Sequence, residues 1–372
     1  MKLEISKKEL RQALNNVHKT VATRSTLPIL NNIYLKAYGK EIYLFTTNLE
    51  SYTEVKIPAN VIEEGEITLP ARLMLEMVNA ISSGSEEITL ESSNLKSARL
   101  FSGPFNYMLN GIEASEYKEY LPQFNPAFSF FISGSLLKQM INIVRCAVAT
   151  DESKPSMMGA RAELKGNNFR LVATDSRRLA ITNCRLAESA VADHFFLIPG
   201  KALNEIYTLI DDQFPVKIQL NDGGNIVGFE INNLKFYSRL LEGEFPDYES
   251  FIKSECPISF KTETAAFVES LEGIMPIARE NANIVKLFIG DGRITLEAAS
   301  SETGLAKIEQ SCEKKGGNLE ISFNARYLID ALNSINAGSV ELSFNKPLTP
   351  CFIKSADGQG DFIWVIMPIR PA

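Results

Sequence analysis

The chain repeats itself three times, and that repeat constrains its fold more than any single motif. ISKKELRQALNNVHKTV begins at Ile5, ISGSLLKQMINIVRCAV at Ile132 and FKTETAAFVESLEGIMPIA at Phe260, 127 and 128 residues apart. Each carries apolar residues at steps of three and four, as in Leu10, Leu14, Val17 and Val21, the stripe of an amphipathic helix. Ser6 with Glu9 forms a capping box that starts the first of them. A second helix recurs in LPARLMLEMVNAI from Leu69, IPGKALNEIYTLI from Ile198 and FNARYLIDALNSI from Phe323, at offsets of 129 and 125 residues. Between the helices run alternating strands, with Leu44, Leu171 and Leu296 at matching places. Each copy closes on an aromatic-rich strand: FNYML, FYSRLL or FIWVIM.

The period exceeds the roughly 20–50 residues of solenoid units, and each copy is long enough to bury a core of its own. The expected fold is therefore α+β: three tandem similar domains, each with two helices packed on antiparallel sheets. Linkers are expected at Glu113 to Pro126 and Glu242 to Ser250, giving domains 1–124, 125–249 and 250–372.

Composition excludes several classes. No stretch reaches 18 apolar residues, so no membrane span and no membrane partner is expected. The first residues lack the apolar core of a signal peptide, and a cytoplasmic protein is expected. Cys146, Cys184, Cys256, Cys312 and Cys351 are widely spaced with no CxxC, a poor zinc site and a poor disulfide framework. Neither a metal nor a cofactor is expected. Walker, GxGxxG, GxSxG and HExxH motifs are missing. His18 and His194 fall in different copies, and Asp175 adjoins Arg177 and Arg178, where a structural salt bridge is the simpler role. A triplicated fold without a concentrated polar cluster points to binding rather than catalysis.

The net charge of −7 argues against bulk attraction to nucleic acid. The placement of cations argues otherwise. Arg72, Lys201 and Arg326 share one repeat position, in the first turn of each second helix, where a cation opposes the helix dipole. An anion bound at the same point of every copy would compensate; a solvated helix face is the plainer alternative. Lys7, Lys8, Arg11 and Lys19 mark the first helix, and Lys138 and Arg145 its second-copy counterpart. The third breaks the trend with Glu263, Glu269 and Glu272.

TRSTLPIL (Thr23 to Leu30), LVATDSRRLA (Leu171 to Ala180), EGEFPDY (Glu242 to Tyr248) and the terminal VIMPIR (Val365 to Arg370) together closely resemble the bacterial DNA polymerase III beta subunits, the sliding clamps, across the whole chain. The resemblance implies the DNA clamp fold and a head-to-tail homodimer. Its six domains would form a ring with sheets outside and helices lining a hole for duplex DNA. It implies a non-catalytic processivity factor of the DNA polymerase III holoenzyme. The implied partners are double-stranded DNA without sequence preference, a second copy of the chain, the polymerase III alpha subunit, the clamp loader, and other polymerases and repair proteins with a clamp-binding motif.

By resemblance, Arg24, Arg72, Lys154 and Lys201 would contact DNA. Phe105 and Ile277 would meet across the dimer interface. Met157, Thr174, Arg178, Leu179, Pro246, Asn324, Tyr327, Val365, Met367, Pro368 and Arg370 would line a pocket for partner peptides, an apolar groove with polar anchors. The chain departs from the family in carrying Ser176-Arg177 where Gly-His is frequent, and in Pro371 and Ala372 after the final arginine. Two other classes stay open: an enzyme with a cleft served by Asp175 and His18, and a scaffold that uses the C-terminal groove without nucleic acid.

Overall fold

The structure, a computed structural model, describes residues 1–22, 25–82, 86–187, 192–252, 255–290, 292–358 and 360–370; the side chain of residue 93 is likewise outside the description. Seven α-helices run through the described residues: α1 (Lys7–Val17), α2 (Ala71–Ala80), α3 (Ala114–Lys118), α4 (Gly134–Arg145), α5 (Gly200–Leu209), α6 (Thr264–Ala278) and α7 (Ala325–Ser334). All but α3 are the expected pairs, one pair per copy. On α1 the buried residues are Leu10, Ala13, Leu14 and Val17, and Ser6 accepts from the Glu9 amide at 3.5 Å, one arm of the expected box. Leu44, Leu171 and Leu296 are each fully buried.

All the strand pairings described are antiparallel, in sheets of five, eight, nine and four strands. Contacts group the chain into two compact units, Met1–Ser135 with Thr208–Leu240 and Leu136–Tyr207 with Leu241–Ala372. Three copies give two units because the middle copy divides its strands. Its last strand, Leu234–Arg239, pairs with Ser51–Pro58 of the first copy, matching Tyr237 to Tyr52. The third copy's last strand, Phe362–Ile366, pairs with Arg178–Arg185 of the middle copy, matching Val365 to Leu179. A terminal strand of one copy thus extends the sheet of the copy before it.

Both expected linkers are more than connections. Glu113 to Pro126 contains α3, whose Ala114 and Tyr117, one turn apart, are buried in a cluster with Ile29, Leu30, Tyr34 and Phe45. Glu242 to Ser250 forms no helix or strand, yet Phe245 and Tyr248 are buried with Val172, Leu179, Ile181, Leu197, Phe352 and Val365. In each, aromatic anchors supply the burial that backbone pairing does not.

Candidate functional site

The turn after the strand Asn168–Thr174 builds one wall of the principal site, and its geometry is repeated. Thr174 Oγ1 donates to the Arg178 carbonyl at 2.7 Å and accepts from the Ser176 amide at 3.1 Å. Asp175 Oδ1 accepts from the amides of Arg177 and Arg178, each at 2.9 Å. In the first copy Thr47 and Asn48 do the same for Leu49, Glu50 and Ser51, at 2.8 to 3.0 Å. Asp175 therefore occupies a turn-forming position that the first copy fills with an amide. It needs no acid chemistry to explain it, which removes the main support for a cleft enzyme. The third turn residue is left-handed in both, with φ of 74° at Leu49 and 75° at Ser176, a region where non-glycine residues are strained.

Beside this turn lies a cavity of about 250 Å³ lined by Met157, Thr174, Ser176, Arg178, Leu179, Pro246, Asp247, Tyr248, Phe251, Val365 and Met367. It is a mostly apolar hollow that also carries the Arg178 guanidinium, the Asp247 carboxylate and a few hydroxyls. Of the expected pocket residues it gathers Met157, Thr174, Arg178, Leu179, Pro246, Val365 and Met367. Asn324, Tyr327, Pro368 and Arg370 do not line it. Asn324 caps α7 through the Arg326 amide at 2.9 Å. Tyr327 lies under the Arg178 guanidinium, 4.5 Å from its ring centre. Pro368 and Arg370 flank Ile369, whose amide donates to the Ser322 carbonyl at 2.8 Å. Pro371 and Ala372 lie outside the described residues.

Sequence reasoning did not assign Asp247, Tyr248 and Phe251 to the pocket, and it named Ser176 only as a departure from the family. Asp247 and Tyr248 sit beside Pro246 in the FPDY stretch, so the motif itself was the available signal.

Arg178 is the electrostatic centre of the rim. Its Nε donates to Asp175 at 3.0 Å and its Nη1 to Asp330 at 2.8 Å, with the side chain 12% exposed. Burial acts to lower its pKa; the hydrogen bond to Asp330 and the two carboxylate charges outweigh it and raise the pKa further. The group stays cationic at any working pH. Asp330 also accepts from Arg326 Nε at 3.2 Å.

The recurring first-turn cations fall at one position, the second residue of α2, α5 and α7. Arg72 is 85% exposed and pairs with Glu76 at 2.8 Å; Arg326 is 64% exposed and pairs with Asp330. Each cation opposed to the dipole is thus partly compensated by its own helix, four residues on, and Glu205 follows Lys201 at that spacing. Lys201 is exposed. Arg24 lies outside the described residues. Lys154 Nζ donates to Ser176 Oγ at 3.0 Å, on the rim of the cavity. Two other cations serve the fold. Lys7 Nζ donates to the Ile81 and Ser82 carbonyls at 2.6 and 2.8 Å, capping the end of α2, and Lys19 donates to Thr208.

Phe105 and Ile277 are both half-buried. Phe105 begins the strand Phe105–Asn110, where its ring lies 6.3 Å from that of Tyr107. Ile277 lies in the last turn of α6. Among the described residues the five cysteines are free thiols, and no group of His, Cys, Asp or Glu is arranged to hold a metal. Among the same residues no helix is long and apolar enough to cross a membrane.

Three family models match the chain in order: the DNA polymerase III beta subunit N-terminal domain over residues 1–121, central domain over 131–247 and C-terminal domain over 254–370. The chain is 31% identical over 367 residues to the beta sliding clamp of Staphylococcus aureus, covering 96% of each. It is 30% identical to that of Staphylococcus epidermidis, covering 100% of this chain and 99% of the relative. The crystal structure of the DNA polymerase sliding clamp from Bacillus subtilis superposes on it with a TM-score of 0.94 at 29% identity, over all of both chains.

Proposed function

The chain belongs to the DNA polymerase III beta subunit family, the beta sliding clamps, and from that membership we propose how two copies close head to tail around duplex DNA. Its role is that of a non-catalytic processivity factor in DNA replication.

One observation carries the closure. The terminal strands of the second and third copies each pair with a strand of the preceding copy. The first copy's terminal strand, Phe105–Asn110, and the strand equivalent to those acceptors in the third copy, Gly304–Ser311, are both sheet edges. Aligning the copies on Leu44, Leu171 and Leu296 makes Leu305 the counterpart of Tyr52 and Leu179. Met108, Tyr237 and Val365 correspond as the fourth residue of each terminal strand. Tyr52, Tyr237, Leu179 and Val365 are 6%, 9%, 7% and 3% exposed, whereas Leu305 and Met108 are 63% and 67% exposed. Free edges with apolar side chains are templates for another strand. A second copy offers the missing seam at both ends, with Met108 opposite Leu305 of the partner subunit and Phe105 opposite the partner's Ile308. The contact is heterologous and closes after two copies. Phe105 and Ile277 belong to this interface, since α6 packs on the strand Gly304–Ser311.

A closed ring stays on DNA by topology, so weak contacts suffice and tight ones would slow sliding. Arg24, Arg72, Lys154 and Lys201 supply sequence-independent contacts to phosphate, which an overall acidic chain can present locally. The groove around Arg178 receives short peptides of the polymerase alpha subunit, the clamp loader and other clamp-binding polymerases and repair proteins. Asn324, Tyr327, Pro368 and Arg370 extend it past Arg178. The bacterial cytoplasm is its place of work. Loaded protein should remain on nicked circular DNA and be lost when the circle is linearised; equal retention on both would refute topological binding.

A further inference from the structure

We infer that Glu163 is a positioning residue of the peptide groove, fixing the wall formed by residues 245–251 through the hydroxyl of Tyr248. The inference rests on the groove assignment made above.

Pro246, Asp247, Tyr248 and Phe251 all line the cavity, yet the segment carrying them belongs to no strand or helix. Such a wall must be held by side chains. Phe245 and Tyr248 press into the apolar cluster with Leu179 and Val365, their rings 6.3 Å apart and nearly perpendicular. Apolar burial holds a segment down without fixing its register, because it is non-directional. The directional element lies beneath. Glu163, 3% exposed, is a carboxylate in the strand Gly159–Lys165. Its Oε1 accepts from Tyr248 Oη at 2.9 Å. Arg170, its direct cross-strand partner, donates from Nη1 to the same Tyr248 oxygen at 3.2 Å and stands 4.0 Å from Glu163 Oε2. Arg161, two residues before Glu163 and on the same face, brings its Nε to 2.8 Å of Oε1 as an ion pair, without the alignment of a hydrogen bond. Arg170 also reaches Glu249, next to Tyr248, at 3.9 Å.

A buried carboxylate is costly unless paired and hydrogen-bonded. Here two guanidinium groups balance its charge, and one phenol supplies its directional bond. The hydroxyl can meet donor and acceptor together in only one place, and that place sets the distance between Tyr248 on one wall and Leu179 and Val365 on the other. Glu163 itself does not line the cavity; it acts through Tyr248.

The test uses the full-length protein and a labelled peptide spanning the clamp-binding segment of the polymerase alpha subunit, with binding and dissociation followed by fluorescence anisotropy. Tyr248→Phe removes one oxygen and leaves the ring in the wall. Glu163→Gln keeps the shape and removes the charge. Each should weaken binding about five- to tenfold, chiefly through faster dissociation, and the double variant should weaken it no further than the stronger single one. A residue that merely supports the fold would lower the melting temperature and leave affinity unchanged well below it. Wild-type affinity in both single variants, or effects that multiply in the double variant, would overturn the inference. Wild-type protein that does not bind the peptide would overturn the groove assignment and this inference with it, a result distinct from a wild type that binds and variants that bind equally.

Discussion

Arg178 donates to Asp330 at 2.8 Å across 152 residues of sequence, and this one bond joins the turn of the second copy to helix α7 of the third. The same guanidinium holds Asp175 and stacks on Tyr327, so the cationic rim of the cavity is braced from three directions. Arg178→Ala should weaken binding of the polymerase peptide roughly tenfold or more, since a hydrogen bond to a charged group is worth about 1.5–3 kcal/mol. Arg178→Lys should not restore it, because an ammonium cannot reproduce the fork and the stacking. Titration calorimetry on both variants decides the matter; full peptide affinity in the lysine variant would reduce Arg178 to a point charge.

Much of this architecture was legible in the sequence because it is periodic. The helix stripes, the offsets of Ile5, Ile132 and Phe260, and the buried leucines at 44, 171 and 296 all repeat, and repetition filters out coincidence. The site was less legible because it is built where the period stops. Tyr248 and Phe251 lie in a segment without helix or strand, and the placement of Tyr248 depends on Glu163, 85 residues away. The pairing of Arg178 with Asp330 crosses between copies, which no local pattern announces. Lys7 read as a surface cation, but the carbonyls just past α2 claim it. The edge character of Phe105–Asn110 was hidden too. Its sequence matches the terminal strands of the other copies, and only the sheet order among the described residues shows it at an edge.

Ser176 stands in left-handed backbone at φ 75°, where the resemblance would place glycine. Ser176→Gly relieves about 1–2 kcal/mol of strain and returns about 0.5–1 kcal/mol through the looser unfolded chain. Denaturant titration should therefore show a net gain of about 0.5–1 kcal/mol. Loss of the exposed bond from Lys154 should offset little of it. A destabilised glycine variant would mean that the serine hydroxyl, not the backbone, decides this turn.

The free edges give a prediction for assembly. Leu305→Lys or Met108→Lys places a charge where the equivalent positions of the other seams are buried, at 3% to 9% exposure. Charged residues on edge strands block pairing. Sedimentation equilibrium should find the wild type as a dimer and either variant shifted toward the single chain, with the melting of each subunit nearly unchanged. Dimers of undiminished stability in both variants would place the interface elsewhere.

Salt dependence separates steering cations from structural ones. Arg72 is largely exposed and paired with Glu76 on its own helix, and Lys201 shares its helix position. Combining Arg72→Ala with Lys201→Ala removes both cations from each subunit of the ring. The slope of log affinity against log salt should flatten by at most about 0.9 for each cation lost, while peptide affinity stays unchanged. An unaltered slope would assign both to a solvated helix face.

Tyr248 ties the groove wall to pH. Burial pushes its phenol up from the ordinary value of 10.0 to about 12; the hydrogen bond to Glu163 adds to this, and Arg170 opposes it. The folded chain therefore keeps a proton that the unfolded chain gives up above about pH 10. Where the unfolded state binds fewer protons, stability falls as pH rises. The contribution is fully present below about pH 10 and is lost as pH climbs through about 12. Burial raises the phenols of Tyr34, Tyr117 and Tyr237 as well, so the wild type should lose stability steeply in this window from several sources at once. Tyr248→Phe isolates one of them, because phenylalanine carries no proton to lose in either state. Urea titrations of both proteins at steps between about pH 9 and 12 should show the variant less stable than the wild type at the lower end and the gap narrowing toward the upper end. A gap that stays constant across the window would mean that the Tyr248 hydroxyl titrates alike in the folded and unfolded chain.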